Sequence, residues 1–484
     1  MIIIYLNYKY SDGFFNVTPA NGFLPVNPPM EHLPSEYEDL EYIASNLHKL
    51  IKFDNLDDYV TILPNYIDSV KHVTDPQLLQ ALYRAYTFIV SAYLLLPSYK
   101  HYVAHGTYGK ARTSVPSNLS IPLFCVSEKL DVAPYLDYHY AYCLGNYRLI
   151  DSSKPMEWNN LEMIVKFDGG LDERGFVMVH VDINTLGKYL LEGINNVYTG
   201  IKTSNICSVV DGLYLNYMTM KSINARRKEM WKASDYKNYN NFRVFIMGIE
   251  GNNKIFGEDG VVYEGVNEEP LKFRGQTGAQ DDIIPCEDIF SGVINYYPEN
   301  DLTRYLLDLR RYRPKCVQLF FKDLEETSKL YNLLDLDKLG KTGDEELVFK
   351  SYVYLLGIVD EIFNFRNGHW QFVQKFIMKN TTYAVATGGT PITTWIPNQM
   401  LATLNYMDDI IKKIRTLGEF NDELFVMISS NYVKKRQILE EQINELHKQI
   451  YSVDKIIDSN KEFTDDQVSL TSSSSSTSSS ITFG

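Results

Sequence analysis

Along most of this chain apolar residues recur three and four positions apart, the period of helices that turn one face inward. Asp75 to Leu96 reads as one such helix, with Pro76 in its first turn and Pro97 at its stop. Glu173 to Tyr198 reads as a second helix. Asp344 to Lys379 reads as a third, long and strongly apolar on one face. Strand-like alternation is confined to scraps such as Gly260 to Tyr263. The pattern therefore predicts an all-α protein.

The polar stretch Asp151 to Gly170, with Pro155 inside and two glycines at its close, predicts a junction. It divides the chain into a small N-terminal helical domain over 1–160 and a larger helical domain over 161–430. Beyond these, Leu439, Ile443, Leu446, Ile450, Val453 and Ile457 alternate at four and three on a charged helix over 431–460. That stripe suits packing on the same chain or a dimer contact. The Ser-rich segment within 461–484 cannot bury apolar area and is expected to be disordered.

Composition narrows the class. The 484 residues are 45% hydrophobic and 13% aromatic, with 36 Tyr and 24 Phe, so a large core is available and a mainly disordered chain is excluded. A net charge of −14 argues against coating nucleic acid or an anionic membrane. Five widely spaced cysteines without a C-x-x-C fit a reducing cytoplasm and no cysteine zinc site. The longest apolar run, Ala85 to Leu96, is shorter than the ~20 residues of a membrane span. The apolar start is too short for a signal-peptide core. A cytoplasmic protein with no membrane partner is expected.

Several residue groups are candidates for chemistry. His101 and His105 share the spacing of two helix-face ligands but lack a third, which leaves a surface turn after Pro97 as the plainer reading. Gly106 to Lys110 is too short for a phosphate loop. Arg310, Arg311 and Arg313 read as a solvated helix end, and Asp281, Asp282, Glu287 and Asp288 as a solvated acidic cluster. His369 falls on an apolar helix face with Phe365, Phe372, Val373, Phe376 and Ile377. It is open to two readings, a satisfied core histidine or a haem ligand with Arg366 placed to meet a propionate. His180 follows Phe176 by four. Tyr239 and Arg243 also stand four apart, either a carboxylate clamp or an exposed helix-end pair. Thr387 to Thr390 reads as a loop, either a linker or a lid.

In order, the segments GFLPVNPP, PSNLSIPLFCVSEKLDVAP, GFVMVH, GVVYEGVNEEPLKFRGQTGAQ, LLDLRRYRP, FRNGHWQFVQKFI and TGGT resemble the indoleamine 2,3-dioxygenase family. The likeness runs from about Asn21 to about Asn398. It implies an all-α haem b enzyme in which a small N-terminal domain caps a large one. It also implies addition of both atoms of O2 across the indole C2–C3 bond of L-tryptophan or a related indoleamine. The product would be N-formylkynurenine, on the kynurenine route toward NAD, with an electron donor keeping iron ferrous.

By the same resemblance His369 is the iron ligand, and Arg366 and Asp288 support the haem or that ligand. Phe176 lines the substrate pocket and Arg243 pairs with the substrate carboxylate. Thr277 and Gly278 stand beside the distal haem face, and Thr387 lies near the substrate ammonium. His180 departs from the animal enzymes, which have serine there. It is similar to tryptophan 2,3-dioxygenases, where a histidine contacts the indole N–H. Asn238 and Tyr239 replace two pocket aromatics, and Tyr142 replaces a small residue and is expected to narrow the pocket. The alternatives are a haem protein that binds O2 without inserting it, a dioxygenase of another indole, and a haem-free scaffold. A monomer, or a dimer through the C-terminal helix, fits each of them.

Overall fold

A computed structural model describes residues 9–341, 343–378, 387, 392–418 and 421–444. Helices dominate, as the apolar spacing predicts, and the architecture is all-α. Among the described residues strands are short. Ser114–Val115 pairs parallel with Val261–Tyr263, which pairs antiparallel with Asn267–Leu271. Tyr147–Leu149 pairs antiparallel with Leu161–Met163. The chain forms two units, 1–430 and 431–484. In the second, residues 431–444 are helical and carry Leu439 and Ile443. Leu446 to Ile457 and the Ser-rich tail lie outside the described residues.

The helix Pro76–His105 starts as expected, with the Asp75 carboxylate accepting from Gln77 N at 3.4 Å and Leu78 N at 3.2 Å. It does not stop at Pro97. A proline in a helix interior leaves the carbonyl four residues back without its N–H donor, which normally ends the helix. Here the Arg112 guanidinium donates to the Tyr93 carbonyl and lies 4.1 Å from the Tyr93 ring. The helix runs on to Gly106, whose φ of 74° closes it. His101 and His105 therefore sit on its last turns rather than in a surface turn, and His101 Nδ1 lies 2.7 Å from the Thr107 carbonyl. By length and composition this helix could cross a membrane, but 89% of its apolar window is buried inside the protein.

The predicted helix from Glu173 to Tyr198 is two helices, Leu171–Asn184 and Gly187–Thr203. The Thr185 hydroxyl bonds back to the Asp182 carbonyl at 2.6 Å, and Leu186 N takes the tighter bond to Ile183. The second of these helices packs on Ile206–Arg227 at Gly193 and Gly212. A Cβ at Gly193 would lie 2.8 Å from the Gly212 carbonyl oxygen, so no side chain fits the crossing.

The stretch 151–170 packs against the core. Phe167 stacks on Phe88 at 4.6 Å and on Phe245 at 5.1 Å. The buried Glu173 carboxylate accepts from Phe167 N, Asp168 N and Gly169 N at 2.8–3.2 Å. These bonds anchor the start of Leu171–Asn184, which carries Phe176 and His180. Facing it across the core, Glu345–Phe372 packs between Ile206–Arg227 and Ile392–Thr416 and continues as a π-helical turn over Val373–Met378. Lys379 lies outside the described residues.

Candidate active site

The apolar stripe on Glu345–Phe372 faces a cavity of about 150 Å3. Phe365, His369, Phe372, Val373 and Phe376 form one wall, and Phe176 and His180 stand on another. Two periodicities legible in the chain thus meet in one space. Thr277, Gly278 and Thr387 complete the wall near His180. A second cavity of about 100 Å3 adjoins it and shares Gly278, Asp281, Phe365, His369 and Ile396, so His369 lines both spaces.

His369 is neutral at physiological pH. Burial, reinforced by the Arg227 charge, pushes its pKa down to about 4. No cluster of three or more His, Cys, Asp or Glu side chains suited to a metal occurs among the described residues. With His180 on the opposite wall, the His369 imidazole by itself is too sparse a donor set to hold a bare metal ion. It suits an iron whose other ligands come from a flat macrocycle. The donor set therefore fits haem.

Beside His369, Arg366 is fully engaged. Its guanidinium donates to Asp288 at 2.5 Å, to the Tyr297 hydroxyl at 2.7 Å and to the Thr403 hydroxyl at 2.7 Å. Burial lifts the Asp288 carboxyl while Arg366 opposes that rise. This pair ties the helix holding His369 to Ile283–Ser291, and Arg366, Asp288 and Tyr297 together line the second cavity.

The acidic cluster and the basic run are corrected in the same region. Asp282, Glu287, Asp288 and Arg313 are buried, not solvated. Burial favours a protonated Asp282, but His139 Nε2 at 2.8 Å and Arg313 Nε at 2.7 Å hold its pKa below the usual range. Opposite charges more than twenty residues apart in sequence neutralise one another there. Neither group could announce its partner by local spacing.

On the opposite wall the His180 ring lies 5.3 Å from Phe176 and 5.9 Å from Tyr138. Burial lowers its pKa and Asp281 opposes the fall. Its Nδ1 has no hydrogen-bond partner among the described residues. A Cβ on Gly278 would lie 3.9 Å from the imidazole Cε1, in ordinary van der Waals contact with it. Thr277 caps the turn Gly278–Gln280: its hydroxyl accepts from Ala279 N at 3.4 Å, and its own N–H donates to Gln280 Oε1 at 3.2 Å. Thr387 donates its hydroxyl to the Gln276 carbonyl at 2.7 Å, and its carbonyl accepts from Gly248 N at 2.9 Å. Gly388, Gly389 and Thr390 lie outside the described residues.

Tyr239 lines the cavity, packed 5.1 Å from Phe176 and 5.7 Å from Phe376. Its pKa is pushed up to about 12 by burial, against the opposing Arg243 charge. Arg243 is fully buried rather than an exposed helix-end residue, and it sits one layer behind the wall. It donates to the Tyr108 hydroxyl at 3.3 Å, and Tyr108 donates to Asn240 Oδ1 at 2.9 Å. Tyr108 belongs to the stretch Gly106 to Lys110, and nothing local in the sequence marks it as a partner of Arg243.

Two expected pocket positions lie elsewhere. Tyr142 is buried near Phe88 and Phe167, with ring centroids 5.8 and 6.1 Å away, and is not on the cavity wall, so it does not narrow the space. Asn238 is exposed and donates to Asp172 at 2.8 Å.

The family model described as indoleamine 2,3-dioxygenase matches residues 12–395, a span holding both histidines and almost the whole cavity wall. Indoleamine 2,3-dioxygenase 2 of Mus musculus is 27% identical over 389 residues, 80% of this chain and 89% of that protein. Indoleamine 2,3-dioxygenase 1 of Rattus norvegicus is 27% identical over 305 residues, 61% of this chain and 70% of that protein. The 6-hydroxytryptophan 2,3-dioxygenase fscD of Fusarium equiseti is 23% identical over 370 residues, 75% and 84% of the two chains. With the match running across most of its length and a neutral buried histidine in the cavity wall, this chain belongs to the indoleamine 2,3-dioxygenase family of haem-dependent dioxygenases.

Proposed function

We propose that the chain adds both atoms of O2 across the indole C2–C3 bond of L-tryptophan, giving N-formylkynurenine at the entry to the kynurenine route. The observation that carries this reading is the facing of His369 and His180 across one apolar cavity, with Tyr239 on its wall and Arg243 one layer behind. Haem held by His369 would supply the activation of O2, which is otherwise inert toward a closed-shell indole.

The chain's own residues supply binding and orientation. Phe176, Tyr239 and Phe376 exclude water and flank a flat aromatic ring. Neutral His180 accepts a hydrogen bond from the indole N–H. Arg243, reached past Tyr239, pairs with the amino-acid carboxylate and fixes the ring's register. Holding reactants in place in this way contributes up to ~7–11 kcal/mol to lowering a barrier. A cytoplasmic location, an external electron donor, and a small domain over 1–160 capping 161–430 belong to the same proposal.

The test is mass spectrometry of the haem-loaded, reduced protein supplied with L-tryptophan and heavy O2. N-formylkynurenine carrying two heavy atoms supports the reading. No oxygenated product from any indole, despite bound ferrous haem, would replace it with an O2-binding protein. Because the Fusarium relative is named for 6-hydroxytryptophan, that compound belongs in the same assay.

The His180 role carries a pH signature. The imidazole accepts the indole proton only when neutral, and burial lowers its pKa. Activity is therefore expected to persist through the ordinary histidine range and to fall only at lower pH, as His180 becomes protonated. In His180→Ala that acid limb should disappear from the kcat/KM profile. An unchanged limb would assign the titration to another group.

A further inference from the structure

Arg227 ends the helix Ile206–Arg227 and lines the cavity, yet no spacing in the sequence singles it out. It is 8% exposed. Its Nε donates to Asn224 Oδ1 at 3.2 Å, and Asn224 in turn holds Glu361 through two bonds of 2.8 Å. No carboxylate among the described residues forms an ion pair with Arg227. Burial lowers its pKa to about 10 against the opposing Glu361 charge, so it stays charged at neutral pH.

Its position is set by the residue beside the iron ligand. A Cβ built on Gly368 would lie 1.9 Å from Arg227 Nη1, so the guanidinium rests on the backbone one residue before His369. The rings of Phe365 and Phe372 lie 5.7 and 5.5 Å from its Cζ. Three residues before His369, Arg366 pairs directly with Asp288, whereas Glu361 acts on Arg227 only at a distance, its carboxylate bonded to Asn224 instead. The cavity's carboxylate, Asp281, is committed to Tyr138 and Asn184 near His180.

We propose that Arg227 is a positioning residue that places a fixed positive charge, with no carboxylate paired directly to it, beside His369 and biases bound iron toward the ferrous form. This rests on the haem reading above. A nearby cation disfavours ferric iron more than ferrous iron, because the ferric state carries one more positive charge. The step affected is transfer of one electron from an external one-electron donor to ferric iron, with no bond made or broken. A buried cation without a direct ion pair costs stability.

The experiment is a spectroelectrochemical titration of the full-length, haem-loaded protein. In Arg227→Gln the ferrous-to-ferric ratio at a fixed potential should fall about tenfold, a midpoint about 59 mV lower for a one-electron couple. Arg227→Lys, which keeps the charge, should stay within about threefold of wild type. Gly368→Ala displaces the guanidinium without removing it and should shift the ratio in the same direction by less. An unchanged midpoint in Arg227→Gln would overturn the proposal. If that variant takes up no haem, an unchanged midpoint in Gly368→Ala does the same. Loss of haem from both would make Arg227 a packing residue and overturn it equally. Wild-type protein that binds no stoichiometric haem would instead refute the haem reading itself.

Discussion

His369→Ala is expected to lose stoichiometric haem and with it the haem absorption band, and to lower turnover by about three orders of magnitude, about 4 kcal/mol. The reason lies in how few donors the cavity offers. His369 is the imidazole that lines both cavities, and burial together with Arg227 keeps it unprotonated. The other cavity imidazole, His180, stands on the wall that also carries Phe176, where the haem reading places the substrate. Free imidazole added to the variant should restore part of the haem spectrum, since the alanine leaves a space of the lost ring's shape. That rescue separates loss of a ligand from loss of fold. One haem per chain with an unaltered spectrum in the variant would move the iron ligand elsewhere.

Arg243→Ala is expected to lower kcat/KM for L-tryptophan about 10²-fold, from roughly 3 kcal/mol for a buried charged pair. The size follows from burial, because a fully buried guanidinium bonded to Tyr108 is poorly screened by water. Only carboxylate-bearing substrates use it under this reading. Tryptamine, which lacks the carboxylate, should therefore show little difference between wild type and variant. An equal loss for both compounds would mean that Arg243 supports the Tyr239 wall rather than the substrate. Since Arg243 lies one layer behind that wall, this comparison decides how far the charge reaches.

Much of the site was legible in local spacing. Phe365, His369, Phe372, Val373 and Phe376 lie on one helix face by period alone, and all five reach the cavity. Phe176 and His180, four apart, do the same. Turn chemistry was less visible: the Thr185 back-bond that splits Leu171–Asn184 from Gly187–Thr203 competes with a helix that periodicity alone would continue.

By itself, then, the sequence determined the all-α class, the two histidine-bearing apolar faces and the family. Each of these depends on residues within a few helical turns or on the order of segments along the chain. Only the tertiary structure decided the rest. Arg112 satisfies the carbonyl that Pro97 leaves without a donor, so the helix continues. Asp282 is buried because His139 and Arg313 reach it from distant segments. Tyr142 turns toward Phe88 and Phe167 and away from the cavity. Arg366 is spent on Asp288 while Arg227 keeps its charge next to His369. In every such case a charge or an unmet hydrogen bond is resolved by a partner far along the chain. Helical period records which way a side chain points, and only packing determines what it meets there.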